Sequence, residues 1–325
     1  MRKMGGIARR AKYIERELEL KKPVLQVDAG DLFFGDHPQS RPITAFNKDS
    51  ALVLARGSAK LKVDAVNVGA QDLSLGAQFL NELKENSKDS GPLNLISSNL
   101  VDKITGQPVF ETDRLVELSG IKFGIFGVCR ESPALPGELA VREPKSAAEQ
   151  MVKKLKGEKK ADLVIGLFNL GQNRTRDLIK QVPGIDIAVI SGDPSYIYDP
   201  ELVGKTLMLQ SGVGGKYLGQ MEINYYPGRA LRPADQKQVE KIKGQIDALS
   251  SQISQMEKGT QNQTDVLAKY MELKKQRDQV TLQLEKVLLA FDYKHRLVPM
   301  DELMPVDVEV KGWIIRAVRA EQGLK

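Results

Sequence analysis

The sequence predicts an α/β protein, a sheet core with helices on its faces, followed by a C-terminal helical hairpin. Three observations predict it. Short β-type apolar runs alternate with amphipathic helical stretches over the first two thirds of the chain. Several of those runs end in polar loops containing glycine, as in Asp28-Ala29-Gly30-Asp31 and Gly69-Ala70-Gln71-Asp72. Beyond Pro233 the composition turns to Gln, Lys and Glu, and apolar residues recur at heptad spacing.

Taken in order, residues 7–20 read as an amphipathic helix with Ile7, Ala11, Ile14 and Leu18 on one face. Val24 to Val27 reads as the first strand and 50–61 as a second helix. Ala65 to Val68 reads as the next strand. Further strands are expected at Leu93 to Ser97, Lys122 to Val128, Leu163 to Phe168, Ile185 to Ile190 and Thr206 to Gln210. In sheets of this type chemistry belongs to loops at the carboxyl ends of strands. Asp28 to Asp31, Gly69 to Asp72, Phe168 to Gly171 and Ser191 to Ser195 hold that position.

Three divisions are expected: 1–232 as the α/β domain, 233–290 as the hairpin and 291–325 as a tail. In the hairpin, Val239, Ile242, Ile246, Leu249, Ile253 and Met256 form one seam. Lys258 to Asn262 breaks it. Val266, Tyr270, Leu273, Val280, Leu284 and Val287 form a second seam, with Arg277 at one of its positions. Helices at 235–257 and 264–290 are therefore expected to pair antiparallel as a coiled-coil hairpin. The two seams either zip against each other or bind another subunit or protein. In the tail, Asp307 is placed to N-cap a short helix presenting Val310, Ile314 and Val318, with Trp313 as a packing residue.

Of the 325 residues 41% are hydrophobic and 28% charged, which fits a globular protein. No apolar run approaches the roughly 20 residues of a membrane span, so no transmembrane segment is expected. Met1 to Gly6 has no apolar stretch behind its basic residues, and no signal peptide is read there. The net charge of +6 is spread along the chain, without an Arg/Lys stripe interleaved with aromatics, so a nucleic-acid partner is not expected. Cys129, the only cysteine, follows an apolar run and reads as an inert core thiol.

Gly5 to Ala11 followed by Val27 to Phe33 resembles the opening of the UshA-like 5′-nucleotidases, a family of metallophosphoesterases. Val63 to Gly69, Ile121 to Val128, Val182 to Asp186, Leu209 to Gly212 and Gly215 to Gly219 are similar to further strands and loops of that family. The resemblance covers about residues 5–226 and implies a metallophosphoesterase-like αββα sandwich. It also implies a two-metal site, which holds a nucleophilic water and clamps the phosphoryl group.

Most of the ligands that the family supplies are replaced here. Its Asp-x-His motif would fall before Met1. Gly30-Asp31 keeps the carboxylate that bridges the metals. The Gly-Asn-His position reads Gly69-Ala70-Gln71, the His before Leu-Gly is Asn169, and Gly-His-x-His reads Gly192-Asp193-Pro194-Ser195. Asp31, Ala70, Gln71, Asn169, Asp193 and Ser195 thus outline a vestigial site with no catalytic residue assigned. Asp31 is the one weak metal candidate. With Asn169 and Asp193 it could give an oxygen-rich site for a hard cation such as Mg²⁺ or Ca²⁺. Asp31 could instead serve its loop by accepting backbone hydrogen bonds. His37 and His295, the only histidines, fall on no motif position, although the loop carrying His37 could approach Asp31. The family's base-binding domain is not expected, because the hairpin and tail follow Pro233.

Three functions follow as expectations. The first is a degenerate, non-catalytic relative whose hairpin serves binding or assembly. The second is an active metal-dependent phosphohydrolase or 5′-nucleotidase with an unconventional metal site. The third is a redox or carrier role that depends on a segment before Met1. The resemblance also implies export to the periplasm or cell surface.

Overall fold

The computed structural model describes residues 4–35, 42–133, 135–227, 231, 236–257, 264–289 and 292–323. The chain forms two units, Met1–Gln220 with Arg296–Lys325, and Met221–His295.

In the first unit, α1 (Ile7–Glu19) buries Ile7, Ala8, Ala11 and Ile14. Leu18 is 46% exposed, so the apolar face ends one turn earlier than its spacing suggests. β1 (Val27–Asp28) leads to α2 (Ala45–Lys60), whose start at Ala45 precedes the expected 50–61. The polar residues before Ala51 carry no apolar period, but Thr44 and Asn47 form a reciprocal capping box there. β2 (Ala65–Asn67), α3 (Gly76–Asn86) and β3 (Leu95–Ile96) follow. β1, β2 and β3 form a parallel sheet, with Val27 beside Ala65 and Val66 beside Leu95.

A second sheet is built from the middle of the chain. β4 (Leu100–Asp102) pairs antiparallel with β7 (Leu139–Val141), and between them lie β5 (Asp113–Leu118) and β6 (Ile121–Cys129). α4 (Pro144–Val152), β8 (Leu163–Asn169), α5 (Gln172–Gln181) and β9 (Ile187–Ser191) come next. β10 (Glu201–Val203) and β11 (Thr206–Leu209) complete a six-stranded sheet of order β10-β11-β9-β8-β6-β5. Its four inner strands run parallel and its two edges antiparallel. β5 was not expected, because Asp113, Arg114 and Glu117 interrupt any apolar period along it.

The two sheets face each other through Asn67. Its buried amide donates to the carbonyls of Ala29, Val128 and Leu167 at 3.0, 3.1 and 3.3 Å. One apolar core lies between the first sheet and α1, α2 and α3, and a second between the other sheet and α4 and α5. This is the αββα sandwich. Part of the expected tail also closes it. α8 (Val308–Glu321) buries Val310 in the first core, and Asp307 caps α8 by accepting from the Val310 N–H. Lys60 of α2 reaches Asp307 at 2.9 Å and Glu309 at 2.6 Å.

The second unit contains α6 (Gln236–Glu257) and α7 (Thr264–Leu289), which pack against each other. Six residues span at most about 21 Å. A helix of the length of α6 runs roughly 33 Å, so the short connection requires antiparallel packing. Ile242 and Ile253 are buried, and Ile246, Leu249, Tyr270, Leu273, Val280 and Leu284 half-buried, along the expected seams. The side chains of Val239, Val266 and Val287 and the break at Lys258 to Asn262 lie outside the described residues. Strands β12 (Tyr217–Ile223) and β13 (Tyr293–Pro299) pair as a two-stranded sheet.

Candidate functional site

The site lies where the loops after β1, β2, β6, β8 and β9 meet, at the carboxyl ends of both sheets. Asp31 takes a left-handed backbone conformation, φ 60°, behind Gly30 at φ 100°. That turn brings the β1 loop onto the β2 loop so closely that Gly69 has no room for a side chain. A Cβ there would collide with the Asp31 N–H and carboxylate. The closeness allows direct bonding. Asp31 Oδ1 accepts from the Gln71 N–H at 2.8 Å. Asp31 Oδ2 accepts from the Asn169 side-chain amide at 2.7 Å.

Asn169, at the end of β8, is the hub. Its Oδ1 accepts from the Ala70 N–H at 2.9 Å, and its Nδ2 also donates to Ser191 Oγ at 2.8 Å. Ser191 in turn donates to the Ala29 carbonyl. Arg130, directly after β6, joins this network. Its Nη1 donates to Asn169 Oδ1 at 2.9 Å, and its Nη2 lies 3.5 Å from Asp31 Oδ2. Gly192, at φ 94°, makes room for it, since a Cβ there would collide with the guanidinium.

A second layer fixes the loops. Asp72, fully buried, accepts from the N–H groups of Asp31, Phe33 and Gly69 at 2.8, 2.8 and 2.9 Å. Burial and the neighbouring Asp31 carboxylate push Asp72 up to about 8. Arg10 of α1 pairs with Asp28 at 3.3 Å. Asp193 accepts from the Gln172 N–H, the Ser195 N–H and the Gln210 side chain at 2.7, 3.0 and 2.8 Å. Burial pulls its carboxyl upward, but these donors outweigh it and hold Asp193 below the usual carboxylate range. Cys129, beside Arg130, is buried. Burial first, and the Asp31 charge second, push its thiol up to about 12, which leaves it unreactive.

The structure therefore joins Asp31 and Asn169 directly, with Ala70 and Gln71 contributing backbone N–H groups. Asp193 lies beside the Asn169–Gly171 turn, since a Cβ on Gly171 would be 2.9 Å from its Oδ2. Ser195 is exposed and caps Asp193 through its backbone N–H. His37 lies outside the described residues. Sequence reasoning missed Arg130, Ser191 and Asp72. Arg130 carried one usable signal, a cationic residue directly at the carboxyl end of a central strand.

A pair of divalent metals, as the resemblance implies, does not fit these residues. Each Asp31 oxygen faces an N–H donor, and the Asn169 oxygen faces two. Both Asp193 oxygens are likewise committed. Ala70 has no donor atom to offer. A divalent ion held by Asp31 would be repelled by the Arg130 guanidinium beside it. In the weak oxygen-rich site expected from Asp31, Asn169 and Asp193, every side-chain oxygen accepts from at least one protein N–H donor. Chemically, the cluster is a neutralised ion pair in a hydrogen-bonded cradle.

No family model matches this chain. The 5′-nucleotidase of Vibrio cholerae serotype O1 is 24% identical to it across 53% of this chain and 37% of its own length. The trifunctional nucleotide phosphoesterase protein YfkN of Bacillus subtilis is 25% identical across 61% of this chain and 16% of its own length. The sulfate thiohydrolase SoxB of Thermus thermophilus superposes with a TM-score of 0.69 at 15% identity, over 98% of this chain and 48% of SoxB. The 5′-nucleotidase precursor of Thermus thermophilus superposes with a TM-score of 0.65 at 18% identity, over 99% of this chain and 54% of its own. The chain spans about half or less of the length of each of these proteins.

Proposed function

Starting from a chain that has the metallophosphoesterase fold of the UshA-like 5′-nucleotidases and is related to them at low identity, we propose a non-hydrolytic member of that group. In this reading the guanidinium of Arg130 holds the place of a metal, and the α6–α7 hairpin serves binding or assembly. The observation that carries it is Arg130 set against both Asp31 and Asn169. Arginine stays charged at every accessible pH. It neutralises Asp31 but can neither activate a water nor leave the coordination positions free.

The losses compound. Ala70 cannot ligate, and Gln71 lends a backbone N–H to Asp31 rather than a proton-transferring side chain. Loss of a single stabilising donor costs on the order of 10²–10³ in rate, and here several are replaced together. Export to the periplasm, which the resemblance implies, is compatible with this reading. Among the described residues no helix is long and apolar enough to cross a membrane.

A second reading, a metal-dependent phosphohydrolase or 5′-nucleotidase with an unconventional site, has the retained Asp31 in its favour. Phosphate release from nucleotides and from a chromogenic ester separates the two, with Mn²⁺, Mg²⁺, Zn²⁺ and Ca²⁺ added in turn. The proposal expects no release above that of Asp31→Ala. Robust turnover that Asp31→Ala abolishes would overturn it.

A further inference from the structure

The face of α7 turned away from α6 carries a second stripe. Met271, Lys275, Asp278 and Leu282 follow each other at spacings of four, three and four. At 100° per residue they lie roughly 150° around the helix from the seam of Tyr270, Leu273, Arg277 and Val280. They line one shallow depression together with Lys274 and Gln279. Met271 is 64% and Leu282 52% exposed, so both ends of the stripe offer apolar surface to a partner.

The order along the stripe is apolar, basic, acidic, apolar. It is complementary to itself only when reversed. Two copies laid antiparallel about an axis between Gln276 and Arg277 bring Met271 against Leu282 of the partner subunit. The same alignment sets Lys275 against Asp278 of the partner subunit, and the two-fold repeats each contact. A parallel arrangement would stack lysine on lysine and aspartate on aspartate, which is destabilising. Asp278 is bonded by the Arg277 guanidinium at 2.7 Å and keeps further lone pairs for a second cation.

We propose that α7 is a homodimerisation helix, pairing antiparallel with α7 of a second copy through these four residues. The inference rests on the assembly role proposed for the hairpin and names its partner. The contact extends over about 17 Å of helix. Four side chains per copy bury less than the roughly 1,000 Å² that a stable specific interface needs, so the dimer is a weak one.

Sedimentation equilibrium on the full chain, from micromolar to several hundred micromolar, tests this. The native chain is expected to form dimers as concentration rises. Lys275→Asp or Asp278→Lys alone creates two like-charge pairs and should weaken the dimer at least tenfold. The double variant, which exchanges the charges, should recover it. Far-UV circular dichroism confirms that each variant keeps its helices. A chain monomeric at every concentration would overturn the proposal and leave the stripe to a different protein. Single variants that dimerise like the native chain, or a double variant that stays monomeric, would also overturn it. None of these outcomes depends on phosphate release, so failure here is distinguishable from failure of the non-hydrolytic reading.

Discussion

Arg130 and Asp31 reach each other from different sheets, with Nη2 3.5 Å from Oδ2, and Asn169 bonds to both. The pair is sheltered, the Asp31 side chain being 9% and the Arg130 side chain 22% exposed. Removing the cation leaves a mostly buried carboxylate uncompensated. Arg130→Ala is therefore expected to cost about 2 kcal/mol of stability. Arg130→Lys should cost less, because it keeps the charge while losing the fork that reaches two acceptors. Urea denaturation of the three proteins checks this, and an unchanged midpoint in Arg130→Ala would count against it.

Asp72 gives a pH dependence of definite sign. Its folded-state value, about 8, lies above the ordinary 3.8, so the folded chain binds its proton more tightly than the unfolded chain. That contribution is fully present below about pH 4 and is lost as pH rises through about 8. Denaturation at a series of pH values between 5 and 8 should show stability falling with pH. Asp72→Asn should flatten that slope, at a cost in stability from lost backbone acceptors at every pH. A native slope of opposite sign in this window would contradict the assignment.

The docking of α8 rests on Asp307, which combines an N-cap bond with an ion pair to Lys60. Burial pulls the Asp307 carboxyl upward, but the Val310 N–H and Lys60 outweigh it and hold it below the usual range. Its contribution is present above the ordinary carboxylate value and is lost as pH falls through the lowered one. Asp307→Ala is expected to cost about 1–2 kcal/mol. Asp307→Asn keeps the cap and should cost less than half of that. Thermal unfolding at neutral pH distinguishes the two, and equal losses would show that the cap contributes nothing.

The legible part of this protein was the part governed by local pattern. Strand–loop order placed Asp31 and Asn169 at strand ends, and both meet in the site. Apolar spacing beyond Pro233 marked the two helices α6 and α7, and Asp307 announced its helix. What stayed hidden depends on distances between elements. Arg130 reads as an ordinary polar residue after an apolar strand, until the pairing of β6 with β8 sets it beside Asn169. Asp72 reads as one more polar residue of the Gly69 to Asp72 loop, until its carboxyl is seen holding three backbone N–H groups of two loops. The missed edge strand β5 and the polar first turns of α2 lacked the apolar period on which sequence patterns rest.

Calorimetric titration of Mn²⁺ into the native chain at neutral pH tests most directly whether Arg130 stands where a metal would bind. Mn²⁺ suits a carboxylate- and amide-lined site, and its binding requires the oxygens now committed to Arg130, Asn169, Ala70 and Gln71. No saturable binding is expected below millimolar Mn²⁺, in the native chain and in Asp31→Ala alike. Micromolar binding by the native chain that disappears in Asp31→Ala would contradict it.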